Sequence, residues 1–258
     1  MSRFLHRSPI HLAMSLVLAT ALGCLALAGC GDDPPPTGPP APTGSTTFEG
    51  TIAGQTSSGS LTITVATSNP SPQPVPMGAN AIVTATGSVT RTGSAAVALT
   101  GTYDDQTDQI SLTGGGWTFA GGLTTFGLEG TYTGPGGIQG VFSVQRVGTG
   151  TDTVIVVVGT YVANVGTGSG NFNFSFRPSI TSGQNLHGNA FDTGQTTPIP
   201  LDGTATSDGL GGYDITIVNP QVPAGPPLAT GKLLLDGSAT GTFDTGAGTS
   251  GTWQGTRL

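Results

Sequence analysis

The chain has little of what enzymes most often work with. Its 258 residues include two cysteines, three histidines and seven lysines or arginines, and charged residues make up only 8%. Both cysteines, Cys24 and Cys30, fall within the first thirty residues, so the long segment beyond has no disulfide and no thiol nucleophile. His187 is the one histidine in that segment, which leaves zinc without a ligand set and His187 without a partner in any recognised motif. Past residue 30 the bases are Arg91, Arg146, Arg177, Lys232 and Arg257, against 14 acids. A body this acidic has no footprint for a phosphate backbone, which argues against nucleic acid as a partner and against electrostatic attachment to anionic lipid. Helical periodicity is missing after the first thirty residues, so no Gly-x-Ser-x-Gly elbow has a strand-to-helix turn to sit on.

What is present begins with a leader. Residues 1–11 carry Arg3 and Arg7 and no acid; residues 12–28 are almost uninterrupted Leu, Ala, Val and Met. The run is short for a transmembrane helix, which needs about 20 apolar residues, and its small residues end in Ala28-Gly29. Those features favour a cleaved signal peptide. The stretch Leu27-Ala28-Gly29-Cys30 resembles the lipobox of bacterial lipoproteins. The resemblance implies cleavage after residue 29 and a diacylglyceryl group on the Cys30 sulfur, with the new amine usually acylated as well. Two or more acyl chains, at about 0.8 kcal/mol per buried methylene, hold a protein on a bilayer. Cys24, in Leu22-Gly23-Cys24, matches less well, because leucine sits next to the cleavage glycine. Residues 30–47, with six prolines, form an extended tether with a reach of up to ~50 Å.

From Phe48 onward apolar residues alternate with Thr, Ser and Asn, as in Leu61-Thr62-Ile63-Thr64-Val65 and Phe172-Asn173-Phe174-Ser175-Phe176. Period-2 runs broken by Gly-rich turns every ~8–12 residues read as strands, so the body is all-β. A correspondence at a shift of 111 residues then emerges: Gly59, Leu61, Ile63 and Val65 onto Gly170, Phe172, Phe174 and Phe176, and Tyr132, Phe142 and Arg146 onto Phe243, Trp253 and Arg257. It predicts two copies, 48–146 and 154–258, joined by a linker at 147–153 short enough that the copies touch, with 154–158 as the candidate seam. Strand centres fall near residues 48, 61, 82, 97, 110, 117, 128 and 141 in the first copy. In the second they fall near 156, 172, 186, 199, 215, 233, 239 and 253. Eight strands per copy predict two tandem antiparallel up-and-down meanders forming small barrels or barrel-like sandwiches; one larger continuous sheet or barrel is the alternative.

The recurring aromatic positions Tyr132, Phe142, Phe243 and Trp253 are read as core, with Arg146 and Arg257 on the same face closing each barrel's end. This ending loosely resembles lipocalin-type barrels, whose last-strand arginine packs on a first-strand tryptophan; here neither first strand has a tryptophan. Gly251-Thr252-Trp253 is similar to an avidin-like phrase but lies in the final strand, so neither likeness implies a ligand. Asp104, Asp105 and Asp108 form the densest acidic cluster, without the EF-hand spacing, and are read as a hairpin turn rather than a cation site. His187, among Gly and Asn, is read as a loop residue.

These readings point to a lipid-anchored protein of the bacterial cell envelope, held to a membrane through Cys30. Its β-rich body is expected to be non-catalytic, needing no cofactor, and to bind a small hydrophobic ligand, a glycan or an envelope protein, or to act structurally. An envelope enzyme working on glycan through carboxylates is a second reading, with Glu49, Glu129 and Asp236 as the acids that interrupt strand-like runs. A membrane-spanning barrel is a third; the anchor, the tether, the short strands and the few aromatics for interfacial girdles speak against it.

Overall fold

The computed structural model describes residues 44–66, 82–148, 152–181, 183–218 and 225–258. The leader, Cys30 and most of the tether lie outside the described residues. The first barrel consists of β1 (Ser45–Ala53), β2 (Ser58–Ala66), β3 (Ile82–Arg91), β4 (Val97–Asp104), β5 (Gln109–Gly114), β6 (Trp117–Leu123), β7 (Gly127–Thr133) and β8 (Gln139–Arg146). The second consists of β9 (Ile155–Val165), β10 (Ser169–Phe176), β11 (Leu186–Asp192), β12 (Ile199–Ser207), β13 (Tyr213–Val218), β14 (Ala229–Leu233), β15 (Ser238–Asp244) and β16 (Ser250–Arg257). Each set is an antiparallel up-and-down meander that closes on itself, β1 on β8 and β9 on β16. The two-barrel expectation is met, and each of the sixteen strand centres read from the sequence lies within an observed strand.

Alternation explains the barrels. Leu61, Ile63 and Val65 of β2 point into the lumen and are buried, while Thr62 and Thr64 between them look outward. Closure removes the unpaired edges that an open meander would leave. Large rings lie inside small lumens, and glycine makes the room. In the second barrel Gly231, Gly241 and Trp253 are consecutive ladder partners; a Cβ on Gly231 would stand 2.2 Å, and one on Gly241 2.4 Å, from the indole. The indole therefore lies flat across two glycines. Phe142 does the same across Gly130 in the first barrel.

Because the two meanders pair in the same strand order, their ladders can be matched place by place. Phe142 stands opposite Ile52 where Trp253 stands opposite Tyr161. We call the end carrying the β1–β2 and β9–β10 turns the upper end of each barrel, and the end where β1 and β9 begin the lower. Both barrels belong to one compact unit, residues 41–258. They pack side by side in the same sense, β1 and β8 against β10 and β11. Hydrogen bonds cross the seam from Asn171 Nδ2 to the Gln55 carbonyl (2.7 Å), from Asn173 Nδ2 to the Ile52 carbonyl (2.6 Å) and from Gln145 Nε2 to the Ser175 carbonyl (2.8 Å). Of the stretch 154–158 expected at the seam, Ile155 and Val157 belong to the second core, while Val156 and Val158 between them are buried outside it on β9, which touches β1 and β2.

Candidate functional site: two open lumens and a buried histidine

The upper end of the first barrel is filled. Trp117 stacks on Phe119 with centroids 5.9 Å apart, both rings reach Tyr132 at 5.6 Å, and the Tyr132 hydroxyl bonds Ser57 Oγ at 2.5 Å. The same end of the second barrel is open. Phe119, between Leu112 and Tyr132 in the first ladder, is matched by Ala229, between Ile217 and Phe243 in the second. With a methyl group in place of a phenyl ring there, this end of the second barrel opens into a cavity of about 290 Å³, walled by Tyr161, Phe172, Phe243 and Trp253. The rings stand at right angles in pairs, Tyr161 to Phe243 at 84° and Phe172 to Trp253 at 83°. Asp192, the last residue of β11, completes the rim and accepts a hydrogen bond from the Tyr161 hydroxyl. Burial and then the Asp192 carboxylate push the Tyr161 phenol above its ordinary value, so it stays protonated and donating.

At the lower end the relation is reversed. Phe176 and Leu186 fill the second barrel, with Tyr213 packed on Phe176 at 4.9 Å, where the first barrel has the smaller Val65 and Ala85. The first barrel therefore opens downward into a cavity of about 610 Å³, lined by Phe48, Val65, Tyr103 and Arg146, with Arg177 and Asn185 of the second barrel on its wall. Arg177 bonds Asp152, whose carboxyl is held below its ordinary value by Ser179 and then by Arg177.

His187 is not a loop residue. It lies in β11 on the outward face, buried in the seam. Its cross-strand partner Asp202 bonds Nδ1, and Glu129 of the first barrel bonds Nε2. Ser143 Oγ donates to Glu129 at 3.3 Å, and the Phe126 ring lies on the imidazole face, centroids 4.4 Å apart and 10° from parallel. Burial pushes His187 down, but the hydrogen bonds and charges of Glu129 and then Asp202 outweigh it and hold it above its ordinary value. Burial likewise pushes Glu129 up, and its contacts with His187, Thr124 and Ser143 outweigh that and hold it low. The result is an imidazole whose protonated form is favoured by carboxylates on opposite sides of the ring, with both nitrogens in use. Because the carboxylates lie on opposite sides, they do not converge on one point. Among the described residues no group of three or more such side chains is placed to hold a metal ion.

The other residues singled out from the sequence are dispersed. Asp104, Asp105 and Asp108 form the β4–β5 turn, in which Asp104 Oδ1 accepts from the Gln106 amide at 3.0 Å and Asp108 Oδ1 from the Tyr103 hydroxyl at 2.6 Å. Asp236 turns β14 into β15 by accepting from the Ser238 amide at 2.9 Å, and Glu49 sits mid-strand opposite Thr62 and Gln145. Tyr132, Phe142 and Trp253 are core, Phe243 is half-buried at the upper mouth, and Arg146 and Arg257 are exposed at the lower rims rather than sealing them. The partners of His187 come from positions 58 residues upstream and 15 downstream, and no local motif marks either. No protein-family model matches the chain, and no curated protein or solved structure does either.

Proposed function

We propose that this chain is a lipid-anchored lipoprotein of the bacterial cell envelope, and that its body, two copies of one barrel unit, binds a small hydrophobic ligand without transforming it. The anchor reading rests on the lipobox-like ending at Cys30. The observation that carries the binding reading is the open lumen of the second barrel, apolar and walled by aromatics, where the first barrel is filled by Phe119 and Trp117. A lumen of about 290 Å³ lies at the small end of ligand pockets, which run from about 300 to 1,000 Å³. The non-catalytic reading is supported by the one body histidine, whose two nitrogens are both taken by carboxylates and whose face is covered by Phe126.

The test uses a neutral apolar dye such as N-phenyl-1-naphthylamine and the variant Ala229→Phe, which copies the packing of the first barrel. Wild-type protein should enhance the dye's fluorescence saturably, and Ala229→Phe, with its β-type circular dichroism intact, should not. Equal enhancement by both would remove the second lumen from the proposal.

A further inference from the structure

We propose that the upper mouth of the second barrel selects organic cations, namely an ammonium group carrying apolar substituents. This rests on the reading of that lumen as a ligand site and adds the charge of what it takes. Four aromatic side chains, Tyr161, Phe172, Phe243 and Trp253, line the cavity, paired at near right angles, Tyr161 to Phe243 and Phe172 to Trp253, so that the four rings do not share one plane. The negative faces of such rings attract a cation placed within about 6 Å, and the attraction grows when the cation is desolvated.

The charge of the lining has one sign. Asp192 is the only ionisable acid or base among the lining residues apart from the Tyr161 phenol, and neither lysine nor arginine reaches the cavity. A carboxylate at the rim of an apolar lumen is costly unless something compensates it. Tyr161 supplies one hydrogen bond, to Oδ1, and stretches across Gly170 to do so; a Cβ there would stand 2.7 Å from the tyrosine oxygen. That bond fixes the carboxylate in place and leaves Oδ2 as the acceptor for an incoming positive group. A neutral apolar ligand would bury Asp192 without compensating it, whereas an ammonium compensates it and gains the ring faces. The excess of acids in the body adds a long-range potential of the same sign. The lower cavity of the first barrel differs in this respect: Arg146 and Arg177 line it.

The experiment compares benzyltrimethylammonium with neopentylbenzene, its neutral carbon isostere, by isothermal titration of the full chain in detergent. The cation should bind at least tenfold more tightly, and its advantage should shrink as salt is raised. Asp192→Asn should bring the two probes to within about twofold of each other while leaving neopentylbenzene binding in place. Ala229→Phe should abolish binding of both. Equal binding of the two probes, or an Asp192→Asn variant that keeps the cation's advantage, overturns the charge selectivity and leaves the lumen a neutral ligand site. Failure of both probes to bind overturns the lumen reading as well. Cation binding that survives Ala229→Phe places the cation elsewhere and overturns the assignment of the site.

Discussion

At the scale of single residues, the seam histidine is held by a carboxylate at each ring nitrogen and by the Phe126 ring on its face. His187 is held above its ordinary value, so its contribution is fully present below about pH 6.5 and is lost as pH rises through the raised value. Glu129 is held below its ordinary value, so its contribution is present above about pH 4.5 and is lost as pH falls through the lowered one. Stability of the described body should therefore be greatest between about pH 4.5 and pH 6.5 and decline on the alkaline side. His187→Gln should lower the melting temperature within that window and flatten the alkaline decline; thermal melts across pH 4 to 9 measure both. A wild-type curve with no alkaline decline would contradict the ion-paired assignment. None of this was legible in the sequence. Asp202 is a cross-strand neighbour only once the β11–β12 register is known, and Glu129 reaches His187 only because the barrels pack at this face.

At the scale of elements, period-2 alternation is a strong signal because every strand has one face in a lumen, and that is why sixteen strands could be placed from residues alone. The same signal is blind to what the other face meets. The outward residues Asn173, Ser175 and Gln145 look like solvated positions in the sequence, yet each is buried in the seam, where partner-barrel groups replace water. The open lumen was hidden for a different reason. Phe119 and Ala229 are 110 residues apart, whereas Tyr132 and Phe243 are 111 apart, so the size difference appears only when ladders rather than sequence positions are matched. The glycines under Trp253 give a direct test of these ladders. Gly241→Ala puts a methyl group into the indole's place, and overpacking of this kind costs about 1–3 kcal/mol. Urea unfolding should show that loss, while the same change at Gly246, where nothing lies within 4 Å, should strain only a turn with φ 71°.

At the scale of the whole molecule, each barrel has its own core, and the seam between them is largely polar. Polar groups uncovered by separating the barrels would be satisfied by water, so the isolated chain 152–258 should show β-type circular dichroism and a cooperative melt. If that chain and the complementary half both aggregate, the barrels depend on each other more than this seam implies. For the anchor, Cys30→Ser should leave the protein uncut or release it to the soluble fraction; a variant that still labels with fatty acid and sediments with membranes would refute lipidation at that residue. The filled ends have a consequence for permeation. Trp117, Phe119 and Tyr132 occlude the first lumen from above, and Phe176, Leu186 and Tyr213 occlude the second from below. Each barrel is thus a cup, and the two cups face opposite ways. A molecule entering either cup would have to leave by the mouth through which it came.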